Sequence, residues 1–488
     1  MTLHVGDIDV LECQSLKKGI PLAVDLDGTL IASDLLWESL FVLFGKNILY
    51  IFIVPFWLLK GKAYLKTAIA ARVTIDATHL PYRQDFLNFL KNCHADGQKI
   101  ILATASAQKF ADAVAEHLGV FDKVFATDIN RNLSSHRKAS LLRELYGDKG
   151  FDYAGNSRDD LAVFAVANQA IIVAPDRSAA KYQKKHMTQL FAAPAPTPII
   201  FLKMIRVHQW LKNILVFVPV ILAHEFLNGA IFMASIAAFF AYSTAASAIY
   251  IVNDLIDLPS DRQHLKKRNR PLASGMVSIP FGLATSVSLL LVSALICLTL
   301  PLEFSLVLGI YIVTTFAYSL FIKRKMLVDV LCLAGLYSLR LLGGMAAAGI
   351  EQSFWLMAFS MFFFLSLALV KRYVELANST LMIKNKLAGR GYCPEDRDIV
   401  GQSGVASAFT AALVLALYIN NDQILTRYDY PWMLWPLGPI VLYLNLRIWI
   451  LAHRGEMDED PVVFLATDWR SQLVISIGML CFIIAGIH

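Results

Sequence analysis

The chain has 488 residues, of which 57% are hydrophobic and only 17% are charged, and its formal net charge is +6. Because soluble domains carry about 25% charged residues, this composition excludes a wholly soluble protein and predicts one embedded largely in a membrane. The positive charge suits an anionic membrane surface or anionic substrates, but the lysine and arginine excess of cytoplasmic loops explains it more simply. We expect the membrane as a partner, and no nucleic acid.

Residues 1–198 have the charge density of a soluble domain, unlike the rest of the chain. Short apolar runs typical of strands alternate there with amphipathic stretches, and these runs lie at 20–27, 99–104, 151–155 and 170–174. The alternation predicts an α/β domain built on a parallel sheet. No basic-then-apolar signal peptide opens the sequence, so we expect this domain to stay in the cytoplasm.

An apolar segment at residues 35–60 interrupts this pattern, and Gly45-Lys46-Asn47 and Pro55 break it in turn. The runs on each side of the break are too short to cross a bilayer, which takes roughly 20 residues per helix. A transmembrane hairpin is one interpretation. We favour a helical cap over the active site of the α/β domain, dipping into the membrane interface.

The first chemical motif is Asp25-Leu26-Asp27-Gly28-Thr29, directly after an apolar run. Asp25 ends a predicted strand, so its carboxylate lies at the carboxyl edge of the sheet, where α/β proteins bind ligands. Asp27 points the same way because side chains alternate along a strand with a period of two. One carboxylate can attack phosphorus while the other serves as acid and base.

Three further elements follow in order along the chain. Thr104 ends the next strand and can donate a hydrogen bond to phosphate, and Lys138 supplies a cation. The run Gly155–Asp160 follows another strand and offers oxygen ligands for a metal ion. These elements predict a phosphoryl-transfer site.

Over residues 20–175 this arrangement resembles the haloacid-dehalogenase-like phosphatases, closest to the phosphoserine-phosphatase type. The resemblance implies that Asp25 is the nucleophile and Asp27 the acid/base. It also implies phosphoryl contacts from Thr104 and Lys138, and an Mg²⁺ site made by Asp25, Asp27, Asn156 and Asp160. Asn156 departs from the pattern, which usually has aspartate there, and a neutral amide binds a hard cation less strongly. The neighbouring Asp159 can compensate.

A proline-rich stretch, Ala-Pro-Ala-Pro-Thr-Pro, ends near residue 198 and predicts a semi-rigid linker. The predicted domains are therefore 1–175, a linker at 176–198, and an all-α polytopic membrane domain at 199–488. About nine spans are expected in the last, at 209–226, 230–252, 278–298, 303–322, 328–349, 353–370, 403–420, 432–451 and 470–487.

Four basic loops all follow even-numbered spans in this scheme. The positive-inside rule then places these loops and the N-terminal domain on the cytoplasmic side, and the C-terminus outside. We expect the protein in a bacterial inner membrane.

The second motif is Asn253-Asp254-Leu-Ile-Asp257-Leu-Pro-Ser-Asp261, at the end of a long apolar segment. Its aspartates fall at i, i+3 and i+7, which share one face of a helix. Three carboxylates at a bilayer edge repel one another, and a magnesium-bound diphosphate would neutralise them. Six basic or histidine side chains follow between Arg262 and Arg270, which predicts an anion site of mixed charge.

The spacing Asn-Asp-x-x-Asp-x-x-x-Asp resembles the aspartate-rich motif of the UbiA-type prenyltransferase superfamily, and the likeness covers about residues 200–488. It implies Mg²⁺ on Asn253, Asp254, Asp257 and Asp261. Further stretches look like the decaprenyl-phosphate phosphoribosyltransferase branch: Arg206–Asn213, Lys266–Pro271, Leu369–Leu376, Gly389–Tyr392 and Arg454-Gly455. Within them, the resemblance assigns phosphate contacts to Lys212, Arg270, Lys371, Arg372 and Tyr392. Arg340, inside the fifth span, is a functional candidate paired with an acid or facing a substrate phosphate.

The leading hypothesis is a membrane phosphoribosyltransferase that moves 5-phosphoribosyl from phosphoribosyl pyrophosphate to a polyprenyl phosphate, fused to a phosphatase that removes the 5-phosphate. The alternative is a prenyltransferase that joins a polyprenyl diphosphate to an aromatic or other small acceptor. The loop Tyr392–Asp398 is only partly the second aspartate-rich motif that such enzymes carry. A non-enzymatic membrane scaffold is a third class, and the presence of both metal motifs argues against it.

Overall fold

The computed structural model describes residues 19–486 apart from 130, 195–196, 378–381, 384–385, 388–389, 422–427 and 458–459. The chain forms two compact units. The first comprises Met1–Met204 and Ile251–Thr285, and the second comprises Ile205–Tyr250 and Ser286–His488.

A parallel sheet of six strands, in the order β3-β2-β1-β4-β5-β6, forms the centre of the first unit. The strands are β1 Leu22–Val24, β2 Ile100–Ala107, β3 Lys123–Thr127, β4 Asp152–Gly155, β5 Ala170–Val173 and β6 Gln189–Phe191. The helices along this part of the chain are α1 Leu35–Lys46, α2 Tyr50–Leu59, α3 Lys62–Ala70, α4 Gln84–Ala95, α5 Gln108–Leu118, α6 Ser135–Tyr146, α7 Leu161–Val166 and α8 Arg177–His186.

Strand β1 is buried on both faces of this sheet. Leu22 and Val24 pack into one apolar cluster, while Ala23 packs into another. Sheets covered on both faces need continuous apolar strands, which is why this run carries no polar residue until Asp25. The predicted α/β parallel-sheet domain is confirmed.

The segment predicted as a linker, 176–198, needs correction. Residues Arg177–His186 form helix α8, and β6 pairs with β5 as the sixth strand of the sheet. Backbone hydrogen bonding to β5 outweighs the weak strand signal of a three-residue run. The proposed linker is therefore shorter and consists of the proline-rich residues after β6. The domain boundaries also differ from the prediction, because residues 251–285 belong to the same compact unit as the N-terminal residues.

Helices α1, α2 and α3 form the predicted helical cap and share an apolar cluster that includes Leu43, Trp57 and Leu65. Helix α1 begins at a defined cap, because Asp34 accepts hydrogen bonds from the backbone N–H groups of Leu36 and Trp37. A helix with a defined start therefore follows closely after the Asp25–Thr29 motif.

A buried ion pair ties this cap to the segment after the second aspartate motif. Both carboxylate oxygens of Glu38, in α1, accept hydrogen bonds at 2.7 Å from the guanidinium of Arg262. Arg262 Nε also donates to the carbonyl oxygen of Ala273. Both side chains are buried, so each charge depends on the other for neutralisation.

Glu38→Ala is expected to destabilise the protein by about 3–5 kcal/mol, because it leaves Arg262 buried without its counter-charge. Thermal unfolding in detergent measures the effect. The matched control is Glu116→Ala on the exposed face of α5, which is expected to unfold like the wild type. Replacing both partners with apolar residues, Glu38→Met with Arg262→Leu, is expected to recover much of the loss. Equal unfolding of Glu38→Ala and wild type would contradict this account.

Within the described residues, seven helices are long and apolar enough to cross a membrane, or nine if each of two sharply bent pairs counts as one span. The seven include α11 Gly229–Ile256, α13 Ile279–Cys297, α14 Leu302–Leu320, α15 Val328–Ala348, α16 Phe354–Ala377, α17 Arg397–Ile419 and α18 Leu437–His453. The shorter helices are α9 Pro198–Met204, α10 Val218–Leu222, α12 Leu258–Gln263, α19 Pro461–Thr467 and α20 Trp469–Ala485, with strands β7 Met382–Ile383 and β8 Lys386–Leu387. The predicted all-α membrane domain is confirmed with seven to nine spans.

Candidate functional sites

The first site lies at the carboxyl edge of the six-stranded sheet. Asp25 and Asp27 follow β1 and line a cavity of about 1350 Å³ within the first unit. Lys138, from α6, and Asn156, after β4, line the same cavity. The structure therefore brings together four residues that the sequence predicts for phosphoryl transfer.

Lys138 is the hub of the hydrogen bonds at this edge. Its ammonium donates to Asp25 Oδ1 at 2.7 Å, to the Tyr153 hydroxyl at 2.7 Å and to Asp160 Oδ1 at 3.3 Å. Burial alone would lower the pKa of Lys138, but the charges of Asp25 and Asp160 outweigh it and raise that pKa above its ordinary value. Lys138 is thus a fixed cation beside Asp25.

Asp160 holds this lysine in place. Its Oδ1 accepts from Tyr153 at 2.6 Å, and its Oδ2 accepts from the backbone N–H groups of Asn156 and Ser157 at 3.1 Å and from the Ser157 hydroxyl at 3.0 Å. These bonds engage both carboxylate oxygens, so the geometry gives Asp160 a positioning role. Its direct contact with Mg²⁺ stays a prediction.

The two carboxyls predicted to be catalytic, Asp25 and Asp27, have different environments. Burial raises the pKa of Asp25 to about 6, against the lowering effect of Lys138. Burial also raises the pKa of Asp27 to about 8, and the charges of Asp34 and Asp25 add to the rise. At neutral pH this ordering leaves Asp25 ionised and Asp27 protonated, which suits a nucleophile beside a proton donor.

Ser106 also lies at this site, although the sequence motifs did not predict it. Its hydroxyl donates to Asp27 Oδ2 at 2.6 Å, and the backbone N–H of Leu35 donates to Asp27 Oδ1 at 2.9 Å. Thr104, predicted to contact phosphate, is fully buried, and its hydroxyl accepts from the backbone N–H of Ser106. The sequence does contain a signal for Ser106. It lies two residues after Thr104, and side chains two residues apart in a strand point to the same face of the sheet.

Ser106→Ala is expected to lower the hydrolysis of a soluble phosphate monoester about tenfold, since Asp27 loses one of the two groups that orient it. Steady-state phosphate release measures the effect. The control is Ser140→Ala, an exposed hydroxyl on α6, which is expected to leave the rate unchanged. Equal rates for Ser106→Ala and the control would remove Ser106 from the site.

The cap also supplies cations to this cavity. Lys62 and Lys66, both on α3, line it. The Lys66 ammonium donates to the carbonyl oxygen of Ala105 at 2.6 Å and lies 3.4 Å from Asn132 Oδ1. Burial lowers the pKa of Lys66. These lysines have no counterpart in the predicted site and would attract an anionic substrate.

The donor set around this cavity fits Mg²⁺. Asp25, Asp27 and Asn156 present the carboxylate and amide oxygens that a hard cation prefers. Gly28, at φ +76°, lets the loop approach Asn156, since a Cβ there would lie 2.2 Å from Asn156 Nδ2. Among the described residues, no cluster of three or more histidine, cysteine or acidic side chains is arranged to hold a metal here or elsewhere.

The second motif straddles a helix break that corrects the single-helix prediction. Helix α11 ends at Ile256 and α12 begins at Leu258, so Asp257 lies at the junction. Asp254 and Asp261 still converge, because Arg270 Nη1 donates to Asp254 Oδ1 at 3.0 Å and to Asp261 Oδ2 at 2.5 Å. Arg270, predicted to bind phosphate, contacts these aspartates through Nη1, and its phosphate contact stays a prediction.

This convergence gives the motif one feature of a cation site. Two carboxylates meet at one positively charged group, and they are mostly buried, so their charges need neutralising. Asp257 and Asn253 adjoin them in the chain and add further oxygen donors. An Mg²⁺ site made by Asn253, Asp254, Asp257 and Asp261 stays a prediction.

Two predicted phosphate-binding lysines meet in the second unit. Lys212 Nζ lies 2.6 Å from Asp460 Oδ2, and Lys371 Nζ lies 3.5 Å from the same oxygen. The Tyr337 hydroxyl donates to Asp460 Oδ1 at 3.3 Å. Sequence reasoning missed Asp460, although its place before Pro461 is typical of a helix cap, and it accepts from the backbone N–H of Val462.

Arg340 lies in the same unit with polar, uncharged partners. Its guanidinium donates to Asn213 Oδ1 at 2.8 Å, to the Tyr311 hydroxyl at 3.0 Å and to the carbonyl oxygen of Leu336 at 2.6 Å. These are the hydrogen bonds that the described residues give it. The expected partner acid is replaced by an amide and a phenol.

Arg372 and Tyr392 belong to a different network, in which both side chains and Asp329 are buried. Arg372 Nη2 lies 2.6 Å from Asp329 Oδ2, and the Tyr392 hydroxyl donates to Asp329 Oδ1 at 2.7 Å. Arg372 also pairs with Glu375. The side chain of Arg372 has no exposed surface, so the predicted phosphate contact conflicts with a structural ion pair. The lone acid at the start of α15 was the readable signal for this pair.

Comparison with known proteins identifies the family. The chain matches the model of the UbiA prenyltransferase family over residues 214–467, more than half its length, and the model of haloacid dehalogenase-like hydrolases over residues 22–165. The chain belongs to the UbiA prenyltransferase family and carries an N-terminal haloacid-dehalogenase-like domain. It is an integral membrane protein of two enzyme families, both of which depend in general on Mg²⁺.

Several known proteins are similar to this chain in sequence or structure. Protein y4nM of Sinorhizobium fredii is 34% identical over 98% of this chain and 94% of its own length. Nodulation protein NoeC of Azorhizobium caulinodans is 31% identical over 56% of this chain and 89% of its own. Decaprenyl-phosphate phosphoribosyltransferase of Corynebacterium glutamicum is 34% identical over 36% of this chain and 54% of its own, about half of that relative. A solved UbiA homolog from Archaeoglobus fulgidus, bound to GPP and Mg²⁺, is 16% identical over 58% of this chain and 99% of its own, with a TM-score of 0.46.

Proposed function

We propose that the protein transfers 5-phosphoribosyl from phosphoribosyl pyrophosphate to a polyprenyl phosphate in the membrane, and that its N-terminal domain then removes the 5-phosphate. The observation that carries the proposal is the complete Asp25–Lys138–Asp160 arrangement on a UbiA-family chain. Phosphoribosyl transfer gives a lipid with a terminal phosphate monoester, which a phosphatase can hydrolyse. Prenyl transfer to an aromatic acceptor leaves no such monoester. The similarity to decaprenyl-phosphate phosphoribosyltransferases supports the same donor.

In the transfer step, an oxygen of the lipid phosphate attacks C1 of the ribose while the bond from C1 to the diphosphate breaks. Asn253, Asp254, Asp257 and Asp261 would hold the metal, which when bound would offset the charge of the leaving diphosphate. Arg270 keeps Asp254 and Asp261 converged. We assign phosphate binding to the cluster of Lys212, Lys371 and Asp460, because its two ammonium groups share one carboxylate and retain a net positive charge.

In the second step, ionised Asp25 attacks the phosphorus of the 5-phosphate while Asp27 gives its proton to the departing ribose oxygen. Asp27 then takes a proton from the water that hydrolyses the aspartyl phosphate, which regenerates both groups. Lys138 and the backbone around Ser106 surround the transferred phosphoryl group. The different pKa values of Asp25 and Asp27 suit these two roles.

The alternative is prenyl transfer to an aromatic or other small acceptor, favoured by the partial second motif in the loop before α17. Asp396 of that loop accepts a hydrogen bond from the backbone N–H of Cys393. It therefore acts as a local cap at the start of a helix. This use supports the phosphoribosyl donor over the prenyl donor.

A comparison of donors tests the proposal. The purified protein in lipid nanodiscs would receive Mg²⁺ and either ribose-labelled phosphoribosyl pyrophosphate with polyprenyl phosphate, or polyprenyl diphosphate with a labelled aromatic acid. We expect label in the lipid extract only with the first pair. Lipid labelling only with the second pair would establish the alternative.

The topology proposal has its own test. A reporter fused after His488 is expected to behave as external, and one at the N-terminus as cytoplasmic, because the basic loops share one parity. Compartment-specific reporter activity in whole cells measures both. A cytoplasmic signal from the C-terminal fusion would mean that the span count is wrong by an odd number.

A further inference from the structure

Helix α2 exposes an apolar surface that none of the described residues of the first unit covers. We define the α2 surface as Leu49, Phe52, Phe56 and Leu59, whose exposed fractions are 59%, 70%, 66% and 84%. Within α2, Trp57 is the one buried side chain. Contiguous apolar exposure of this kind marks a site of interaction with another surface.

The charges around α2 are all of one sign. Between residues 39 and 75 the chain has five lysines and arginines and no aspartate or glutamate. Lys46 precedes the helix, and Lys60 and Lys62 follow it, all three exposed. A short apolar helix with only basic neighbours fits the interface of a membrane that contains anionic lipids. Its ten residues are too few to span.

The position of α2 also points to the bilayer. Leu58, on α2, lines the cavity that holds Asp25 and Asp27. Ser278, Ile279 and Pro280 line the same cavity, and helix α13, which is long and apolar enough to cross the membrane, begins at Ile279. The lining of the phosphatase cavity therefore includes the start of a helix that is long and apolar enough to cross the membrane.

We propose that the α2 surface inserts into the bilayer interface and holds the phosphatase cavity against the lipid headgroups, so that the domain takes a phosphate monoester carried by a membrane-anchored lipid. The part about the substrate rests on the proposed function, while the insertion stands on the exposure, charge and position of α2. The cavity lysines Lys62 and Lys66 face the same anionic class of substrate. A soluble sugar phosphate would not need the α2 surface to reach the cavity.

Photo-crosslinking tests the insertion without any activity measurement. Phe52 or Phe56 would be replaced by p-benzoylphenylalanine in the full chain, in vesicles of phosphatidylethanolamine and phosphatidylglycerol. Leu145, an exposed apolar residue on α6 whose neighbours carry charges of both signs, is the matched control position. We expect lipid adducts by mass spectrometry at 52 and 56 and none at 145. Crosslinked protein dimers in place of lipid adducts would show that a second copy covers the α2 surface and would overturn the proposal.

A kinetic comparison tests the substrate class. Phe52→Ser combined with Phe56→Ser is expected to lower kcat/KM at least about tenfold for synthetic polyprenyl-phosphoryl-5-phosphoribose in vesicles. The same variant should hydrolyse soluble ribose 5-phosphate like the wild type, which also shows that it is folded, and Leu145→Ser should match the wild type on both. Equal losses on both substrates would overturn the proposal that the α2 surface holds the cavity at the membrane. Lipid adducts without hydrolysis of the lipid substrate by the wild type would refute the proposed function and leave the insertion standing.

Discussion

Asp254→Ala is expected to reduce the transfer of labelled phosphoribose to lipid by at least about 100-fold, because an electrostatic group at a charged transition state is worth that much. Asp254 and Asp261 converge on Arg270, so losing one carboxylate removes half of this cation-binding pair. Arg270 keeps its bond to Asp261 in the variant, and the protein should therefore remain folded. Radiolabel in the lipid extract at saturating Mg²⁺ measures the effect.

The matched control for this variant is Asp398→Ala, in the partial second motif. Asp398 is exposed, and it has no role in the proposed phosphoribosyl transfer. Its removal should leave the labelling unchanged. Full activity of Asp254→Ala, or equal losses in both variants, would contradict the assignment of the metal to the first motif.

Asp25→Asn is expected to change the product without stopping the transfer. The amide keeps the shape of the side chain but removes the nucleophilic charge, so phosphate release should fall at least about 1000-fold. Lys138 retains Asp160 and Tyr153 as partners, so the site should stay ordered. The wild type should accumulate lipid-linked ribose, and the variant lipid-linked 5-phosphoribose, as mass spectrometry of the lipid extract would show.

Asp96→Asn, an exposed aspartate at the end of α4, is the control for this change in product. It should give the wild-type lipid. If Asp25→Asn and the wild type make the same lipid, the phosphatase domain acts on another substrate and the second step of the proposal fails.

The position of Asp25 and Asp27 at the edge of the sheet could be predicted from the sequence, because it depends only on residues that are neighbours in the chain. Asp25 and Asp27 follow an apolar run, and parallel strands place their carboxyl ends at one edge of a sheet. The apolar length of the membrane helices was readable for the same reason. The helix break at Asp257 was also readable, because Pro259 stands at the start of α12, where proline favours a new helix over continuation of the old one.

The partners of the site residues were not predictable, because they come from distant parts of the chain. Glu38 and Arg262 are 224 positions apart, and Lys212 and Asp460 are 248 apart. No periodicity links such residues, since a pattern of helix or strand spacing describes only neighbours along one element. Arg372 is an intermediate case, because Asp329 stands out in the sequence as the lone acid of α15, but only the fold shows that the two residues pair.

The most direct test of the two-step account uses phosphoribosyl pyrophosphate that carries one isotope in the ribose carbons and another in the 5-phosphate. The purified wild-type protein would be incubated in vesicles with this donor, polyprenyl phosphate and Mg²⁺, and the lipid would be extracted. We predict that the lipid gains the ribose label and that the phosphate label appears as inorganic phosphate in the aqueous phase. A lipid extract without ribose label would contradict the central claim.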